Sequence, residues 1–454
     1  MRLIHTTSWY FPETSGGVEV YIDGLLQDLQ AYGLQSVVAA PLQGIEEDTY
    51  EYNGIKVYRY PVFPNSTKIQ VGKQLPHGGF ESFANWLRNN KADVYHQHSW
   101  RFDCGLHHLA MARKLGMATI VTVHMPEPVC LRGTMMQHGQ EPCNGLIDSK
   151  RCSQCLGVPK QVPSWAYATL SRVPLAISIP AETKLLASKS VRLRQLGKTF
   201  GIPTKVSEHR RQLMQLALLA DRIVVPSNWQ YNAFRLNGVP QEKLTLCRQG
   251  AASTFKQEIA ATKPRNATLK IGFLGRWQET KGVQVLAEAV HRLPADVPVE
   301  LIIHATHPGK YGAVNREKVL SIAACDSRIR IAEPLSRSSV PEALASFDLL
   351  AVPSQWLETG PLVVLEAQAV GTPVIGSNLG GIAELVRHGV DGWLVPAKDV
   401  QAWTDAIATL AKDTDLVARL RKGIQPVRTM DTVASEMVEL YKEILAINKK
   451  HFSY

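Results

Sequence analysis

In the stretch WLETGPLVVLEAQAVGTPV, residues 356–374, Glu358 and Glu366 stand with seven residues between them, punctuated by proline and glycine. Carboxylates placed on a loop and on the helix after it can accept hydrogen bonds from a ligand's hydroxyls, as acids do with ribose in dinucleotide sites. The competing reading is a solvated loop acid and an ordinary exposed helix position. Upstream, FLGRWQETKG carries Arg276 and Lys281 just past an apolar run and at the start of the next helical pattern. A cationic pair there can neutralise a pyrophosphate and stabilise it as a leaving group. A separate signal comes from Cys130, Cys143, Cys152 and Cys155, spaced x12, x8, x2. Four thiolates of that kind complete a closed tetrahedral zinc site, which staples a loop and leaves no position open for catalysis. Reduced thiols and disulfides are the other readings, and His138 can replace one ligand. Cys104, Cys247 and Cys325 read as ordinary buried or helical positions.

The elements that must position these groups alternate twice along the chain. RLIHTTSWY, QSVVAAPL, ADVYHQHSW, MATIVTVHM and DRIVVPSN read as short apolar strands, with helical patterns such as VEVYIDGLLQDLQAYG and CGLHHLAMARKLG between several of them. YEYNGIKVYRYPV reads as a hairpin about Asn53-Gly54. The pattern restarts after a loose stretch at residues 251–267, with LKIGFLGR, VELIIHA, RIRIAEPL, DLLAVPS and PVIGSN as strands. Such alternation predicts an α/β protein of parallel sheets covered on both faces by helices. The expected units are two Rossmann-like domains facing across a cleft, 1–250 and 268–428, with a Cys-rich insertion at about 126–160. A last helix, 429–454, is expected to pack back on the first domain. Ligands of open parallel sheets sit beyond the strands' carboxyl ends, where helix N-termini favour anions. On that frame Glu358 lies in the loop above a strand end, Pro361 opens the next helix, Glu366 falls about one and a half turns in, and Gly371 stops the helix.

The 454 residues, 45% hydrophobic and 20% charged, suit two or three soluble domains. No apolar run approaches the ~18 residues of a membrane span, and the first residues lack the pattern of a signal peptide. A cytoplasmic protein is expected. The formal charge of +10 is uneven: between Arg172 and Arg211 nine Lys and Arg face only Glu182 and Glu208. That face suits phosphate groups or an anionic lipid surface at the inner side of the membrane, or is simply a solvated helix face. No nucleic-acid-binding signature accompanies it.

Taken together, GR-x4-KG, E-x7-E-A and GG-x2-E, running in order from Gly275 to Glu384, resemble the donor domain of glycosyltransferase family 4, the retaining glycosyltransferases of GT-B fold. FPETSGGVEVYI resembles the family's N-terminal glycine loop, and DVYHQHSW and TIVTVHM its two histidine-bearing strand ends. The resemblance implies that Gly16 and Gly17 admit the donor phosphates and that His124 faces the transferred sugar and the acceptor. By itself His124 reads equally as a satisfied core histidine. His96 and His98 share one strand face by period two and stand outside the catalytic set. The resemblance further implies that Arg276 and Lys281 hold the departing diphosphate and that Glu366 binds the nucleotide ribose. Glu358 is implied to bind sugar hydroxyls, and the backbone N–H groups of Leu362 and Val363 to support ligand oxygens. Catalysis is then positioning and leaving-group electrostatics, with no enzymic nucleophile and no catalytic metal.

The family often reads Glu-x-Phe-Gly where this chain has Glu358-Thr359-Gly360-Pro361, so its contacts to the sugar differ. The one Asp-x-Asp, Asp413-Thr414-Asp415, lies in a polar break and reads as a helix cap. The expected function is transfer of a sugar from a UDP- or GDP-linked donor to a saccharide or lipid-linked acceptor in cell-envelope polysaccharide or glycoconjugate synthesis. A nucleotide-sugar epimerase or hydrolase on this fold, and a non-catalytic nucleotide-sugar-binding scaffold, are the alternatives. Acceptor-dependent product formation separates the first two.

Overall fold

The computed structural model describes residues 1–13, 16–255, 268–306 and 309–451; most of the loose stretch expected at 251–267 lies outside them. Two compact units emerge: Met1–Arg248 with Val433–Tyr454, and Gln249–Thr432.

The first unit is built on β1 (Arg2–Thr6), β2 (Gln35–Gln43), β3 (Asp48–Tyr52), β4 (Ile55–Val62), β5 (Val94–Gln97), β6 (Ala118–Thr122), a small hairpin of β7 (Met136–Gln137) and β8 (Glu141–Pro142), then β9 (Arg222–Val225) and β10 (Leu244–Leu246). The main sheet runs β10-β9-β6-β5-β1-β2-β4-β3. Its strands are parallel except β3, which folds back on β4 across the Asn53-Gly54 turn. Both turn residues take positive φ, 48° and 75°, as a two-residue hairpin of this kind requires. β1 and β5 are central, and helices cover both faces, so even their polar residues His5, Thr6, His96 and Gln97 are buried. Between β6 and β9 the chain inserts the small hairpin and four helices, Ser149–Cys155, Ser164–Leu170, Leu175–Leu186 and Val191–Leu219. The C-terminal helix Met430–His451 returns to the first unit, where Tyr441 is fully buried and Arg222 pairs with Glu443.

The second unit holds β11 (Leu269–Arg276), β12 (Val299–Thr306), β13 (Ile329–Ala332), β14 (Leu349–Val352), β15 (Val374–Ser377) and β16 (Gly392–Val395), all parallel in the order β13-β12-β11-β14-β15-β16. Alternate residues of one strand feed opposite cores: Leu349 and Ala351 join Trp403 and Ile407, while Leu350 and Val352 join Phe347, Val364 and Ile382. In both sheets the strand order reverses beside the first strand, the arrangement that leaves a crevice at the strands' carboxyl ends.

Candidate functional site

In the second unit the order reverses between β11 and β14, and the sequence-predicted residues leave those two strands. Arg276 ends β11 and is exposed. Lys281 closes the short turn Glu279–Lys281 ahead of the helix Val283–His291. Glu358 sits in the loop after β14, and the helix that follows, Leu362–Ala369, carries Glu366. Pro361 is the cap residue and Leu362 the first of the helix, one place later than the sequence suggests. Leu362 and Val363 thus supply the first N–H groups of the helix, before its first internal bond, Val364 N–H to the Pro361 carbonyl. Gly371 takes φ 77° just past the end, and the Thr372 N–H closes onto the Ala367 carbonyl.

The structure brings Lys281 and Glu358 together: Nζ donates to Oε1 at 2.6 Å. Ser354 Oγ and Trp356 Nε1 donate to the same oxygen at 2.8 and 2.9 Å. Glu366 Oε1 accepts from Arg337 at 2.6 Å, and the Arg337 guanidinium lies 4.9 Å from the centre of the Phe255 ring. The two carboxylates are 6% and 4% exposed. Solvated acids are therefore excluded, because a carboxylate this buried persists only when paired and hydrogen-bonded. Each carboxylate offers about four lone-pair sites; Glu358 Oε1 takes three donors and Glu366 Oε1 takes Arg337.

Two glycines make this packing possible. Gly282, at φ 75°, lies so close to the loop after β14 that a Cβ there would sit 1.7 Å from the Pro353 carbonyl oxygen. Gly381 packs on the Glu358 loop, donating its N–H to the Glu358 carbonyl at 2.7 Å, and a Cβ would meet that oxygen at 2.8 Å. The paired glycine ahead of Glu384 thus holds the Glu358 loop in place. Asp413 caps the helix Thr414–Gly423 by accepting the Leu416 N–H, in agreement with its reading as a cap.

In the first unit Gly16 is the cap residue and Gly17 the first residue of the helix Gly17–Ala31, following residues 14–15, which lie outside the described set. Glu19, unforeseen from sequence, is buried in its first turn. Val18 and His124 line one cavity of about 80 Å³, with Trp9, Trp100, Arg101 and Glu127 among its walls. His124 is 5% exposed, and the Tyr21 ring packs edge-on against it at 4.7 Å. Its Nε2 lies 3.0 Å from His98 Nδ1, and His98 Nε2 lies 3.1 Å from His5 Nδ1. Burial lowers the pKa of His124 and of His5 to about 3 and that of His98 well below its usual value, so these rings are neutral at pH 7. Sequence spacing found the shared face of His96 and His98 but not the ring contacts, which join residues far apart in the chain. Arg337, far from Glu366 in the chain, was missed for the same reason; Ser354 and Trp356 lie close to Glu358 in the chain, but nothing in their types or spacing marks them as its donors.

All seven cysteines are unbridged, so the disulfide reading of the insertion is not met. The Cys130 carbonyl accepts from Gly133 N–H at 2.9 Å, Cys152 and Cys155 lie one turn apart on Ser149–Cys155, and Cys155 Sγ accepts the His138 N–H at 3.1 Å. Cys130 and Cys143 act electrostatically on Cys152, whose thiol burial pushes up to about 11. The four sulfurs nevertheless do not form one tight set. Among the described residues, His5, His96 and His98 form the group whose ligand atoms all lie within 4.8 Å of one another.

Comparison with known proteins bears on the same residues. The family described as "Glycosyl transferase 4-like domain" matches residues 16–250, more than half of the chain, and "Glycosyl transferases group 1" matches 268–413. The chain is 36% identical over 218 residues to the D-inositol 3-phosphate glycosyltransferase of Corynebacterium urealyticum, a match covering 46% of this chain and 50% of that protein. The chain thus spans about half the length of the curated relatives it matches. Among solved structures it resembles sucrose-phosphate synthase from Thermosynechococcus elongatus, with TM-score 0.66 and 18% identity over 98% of this chain and 99% of the other. It also resembles Anabaena HepE in complex with UDP-glucose, with TM-score 0.62 and 14% identity over 98% and 100%. At these identities the likeness is one of fold, and that fold is the GT-B arrangement of two parallel-sheet domains.

Proposed function

Because the chain belongs to the glycosyltransferases described as group 1 and 4-like, we propose that it moves a sugar, with retention, from a nucleotide-diphosphate sugar to a saccharide or lipid-linked acceptor. The observation that carries this reading is the ion pair of half-buried Lys281 with buried Glu358 at the switch point, with Arg276 exposed at the end of β11. An ammonium has three donors, so Lys281 can hold Glu358 and a diphosphate oxygen at once. Arg276 supplies a second cation to the departing diphosphate. Glu358, fixed by Ser354 and Trp356, offers its remaining lone pairs to sugar hydroxyls. Glu366 accepts from the ribose while Arg337 neutralises it. The N–H groups of Leu362 and Val363, and those at Gly16 and Gly17, suit phosphate or sugar oxygens. The two cations carry the leaving-group charge without a metal, and the acceptor hydroxyl attacks the sugar's anomeric carbon from the face the diphosphate leaves, its proton passing to the departing diphosphate.

A UDP-linked donor has the support of the likeness to HepE in complex with UDP-glucose; a GDP-linked donor is the competing choice. The helices Leu175–Leu186 and Val191–Leu219 expose Ile177, Leu186, Val191, Leu193 and Leu196 among their basic residues, which suits peripheral contact with an anionic membrane bearing the acceptor. No helix among the described residues is long and apolar enough to cross a membrane. For the insertion the finer reading is a structural zinc held by Cys130, Cys143, Cys152 and Cys155. The His138 N–H on Cys155 Sγ is the kind of outer hydrogen bond that supports a metal-bound thiolate.

The test is release of nucleoside diphosphate from a panel of nucleotide sugars, with and without a membrane glycolipid extract, in the presence of EDTA. Release that requires the extract and survives EDTA supports the reading. Release without any acceptor identifies a hydrolase, and release abolished by EDTA assigns the leaving-group charge to a metal.

A further inference from the structure

Inside the first unit, a cavity of about 400 Å³ lies between the short helix Lys68–Val71 and the helices Leu175–Leu186 and Val191–Leu219. Its size suits a small organic ligand, and no step of sugar transfer described above uses it. Val71, Leu131, Leu175, Ile179 and Leu186 give it an apolar wall, and Val71 and Leu186 stay 53% and 38% exposed. Most of the charged groups around it are satisfied. Lys205 pairs with Glu182 at 2.5 Å, Glu208 holds Arg211 and Gln212, and Lys68 Nζ donates to Thr183 Oγ1 at 2.6 Å. Lys73 is different. It makes no ion pair among the described residues, and its ammonium rests 4.3 Å from the centre of the Trp100 ring. Burial pulls that ammonium down to about 7, against the pull of Glu127, the behaviour of a cation short of an anion. Its backbone is held in place: at φ 62° its N–H bonds the Gln70 carbonyl, and Gln212 Nε2 donates to the Gly72 carbonyl at 2.7 Å. His209, in the same wall, has a buried Nε2 without a hydrogen-bond partner.

Lys73 also joins this cavity to the one beside His124. Trp100, under its ammonium, and Glu127, which acts on it electrostatically, both line the His124 cavity. We propose that the larger cavity binds the lipid end of the acceptor, an apolar chain carrying a phosphate at its head, with the chain on the Leu175–Ile179–Leu186 wall and the phosphate against Lys73. The part to be glycosylated then extends from the phosphate toward His124. This rests on the reading of the chain as a transferase with His124 at its acceptor side. Both halves of the ligand are required by the wall: a neutral glycolipid leaves Lys73 without its anion, and a soluble sugar phosphate leaves the apolar side chains wet. The exposed edges at Val71 and Leu186 give the chain its way in.

The test is calorimetric titration of the full chain with octyl phosphate, kept below its micelle concentration. One molecule should bind per chain, with inorganic phosphate and octanol each at least about tenfold weaker. Lys73→Met should weaken octyl phosphate by about 10- to 100-fold and leave octanol binding unchanged. Leu186→Asp, at an exposed position that folding tolerates, should weaken both. Equal affinity of wild type and Lys73→Met for octyl phosphate overturns the phosphate contact, and absence of saturable binding overturns the site. Inorganic phosphate binding as tightly as octyl phosphate would make it a site for free phosphate. A dimer in sedimentation that Leu186→Asp dissociates would assign the apolar wall to a second copy of this chain. The titration needs no nucleotide sugar, so its outcome is separate from that of the transfer assay. Binding without any transfer keeps the site and removes the transferase reading; transfer to soluble saccharides without binding does the reverse.

Discussion

Lys281 and Glu358 hold each other, so a change at either tests both binding and stability. Lys281→Ala takes the ammonium away from the buried Glu358 carboxylate, which keeps the neutral donors of Ser354 and Trp356. It should cost about 1–3 kcal/mol by chemical denaturation and lower transfer by about 10²- to 10³-fold in steady-state assays. Wild-type stability with full activity would remove the pair from the site. The buried histidines make a separate pH prediction. Their folded pKa values lie below the unfolded value of about 6.5, so the unfolded chain binds more protons in between. Their contribution is therefore fully present above about pH 6.5 and is lost as the pH falls toward about 3. Melting temperature should decline from near pH 6.5 downward, and His5→Gln should flatten that decline; an unchanged slope would contradict it. At this scale the acids and cations were legible because each is one residue at a fixed offset from glycine or proline. Arg337 on Glu366, like the ring contacts of His98 with His5 and His124, joins chain-distant residues and leaves no local pattern.

The elements were legible where a strand is central and apolar. β1, β5, β6, β11 and β14 read directly from runs such as RLIHT and LLAV. The unforeseen strands β10 and β16 are three- and four-residue edge strands, too short to show a pattern. The helices of the insertion were obscured by Pro180 and Pro203 inside them and by their density of charge. Loop placement was legible only in part: GG-x2-E announced a turn, but not that Gly381 packs under the Glu358 loop. Gly282→Ala tests that layer. Its Cβ would meet the Pro353 carbonyl oxygen at 1.7 Å in a backbone conformation L residues rarely adopt, so a loss of about 1–3 kcal/mol is expected. Nucleotide affinity should fall at least about tenfold, and an unchanged dissociation constant by calorimetry would detach the loop from the ligand. For the insertion, elemental analysis should find one zinc per chain, lost together with several degrees of melting temperature in Cys152→Ser or with a strong chelator. Metal-free protein of the same melting temperature would leave the cysteines as plain thiols.

At the scale of the molecule, alternation of strand and helix was enough to foresee two parallel-sheet units, because helix-covered parallel strands leave few other ways to bury both faces. What alternation does not encode is the substrate. The basic, partly apolar helices of the insertion predict salt-sensitive co-sedimentation with vesicles containing phosphatidylglycerol and little with neutral vesicles; equal recovery with both would reduce that face to a solvated surface. The central claim, that the second unit holds a nucleotide sugar through Glu358, Glu366, Arg276 and Lys281, is tested most directly by thermal shift. Wild type and Glu366→Ala are compared with UDP, GDP and ADP. A nucleotide at about 100 times its dissociation constant should add about 2.7 kcal/mol, a rise of a few degrees. The account predicts that one base stabilises the wild type and that Glu366→Ala loses the response. Equal stabilisation of both proteins, or none by any nucleotide at millimolar concentration, would contradict it.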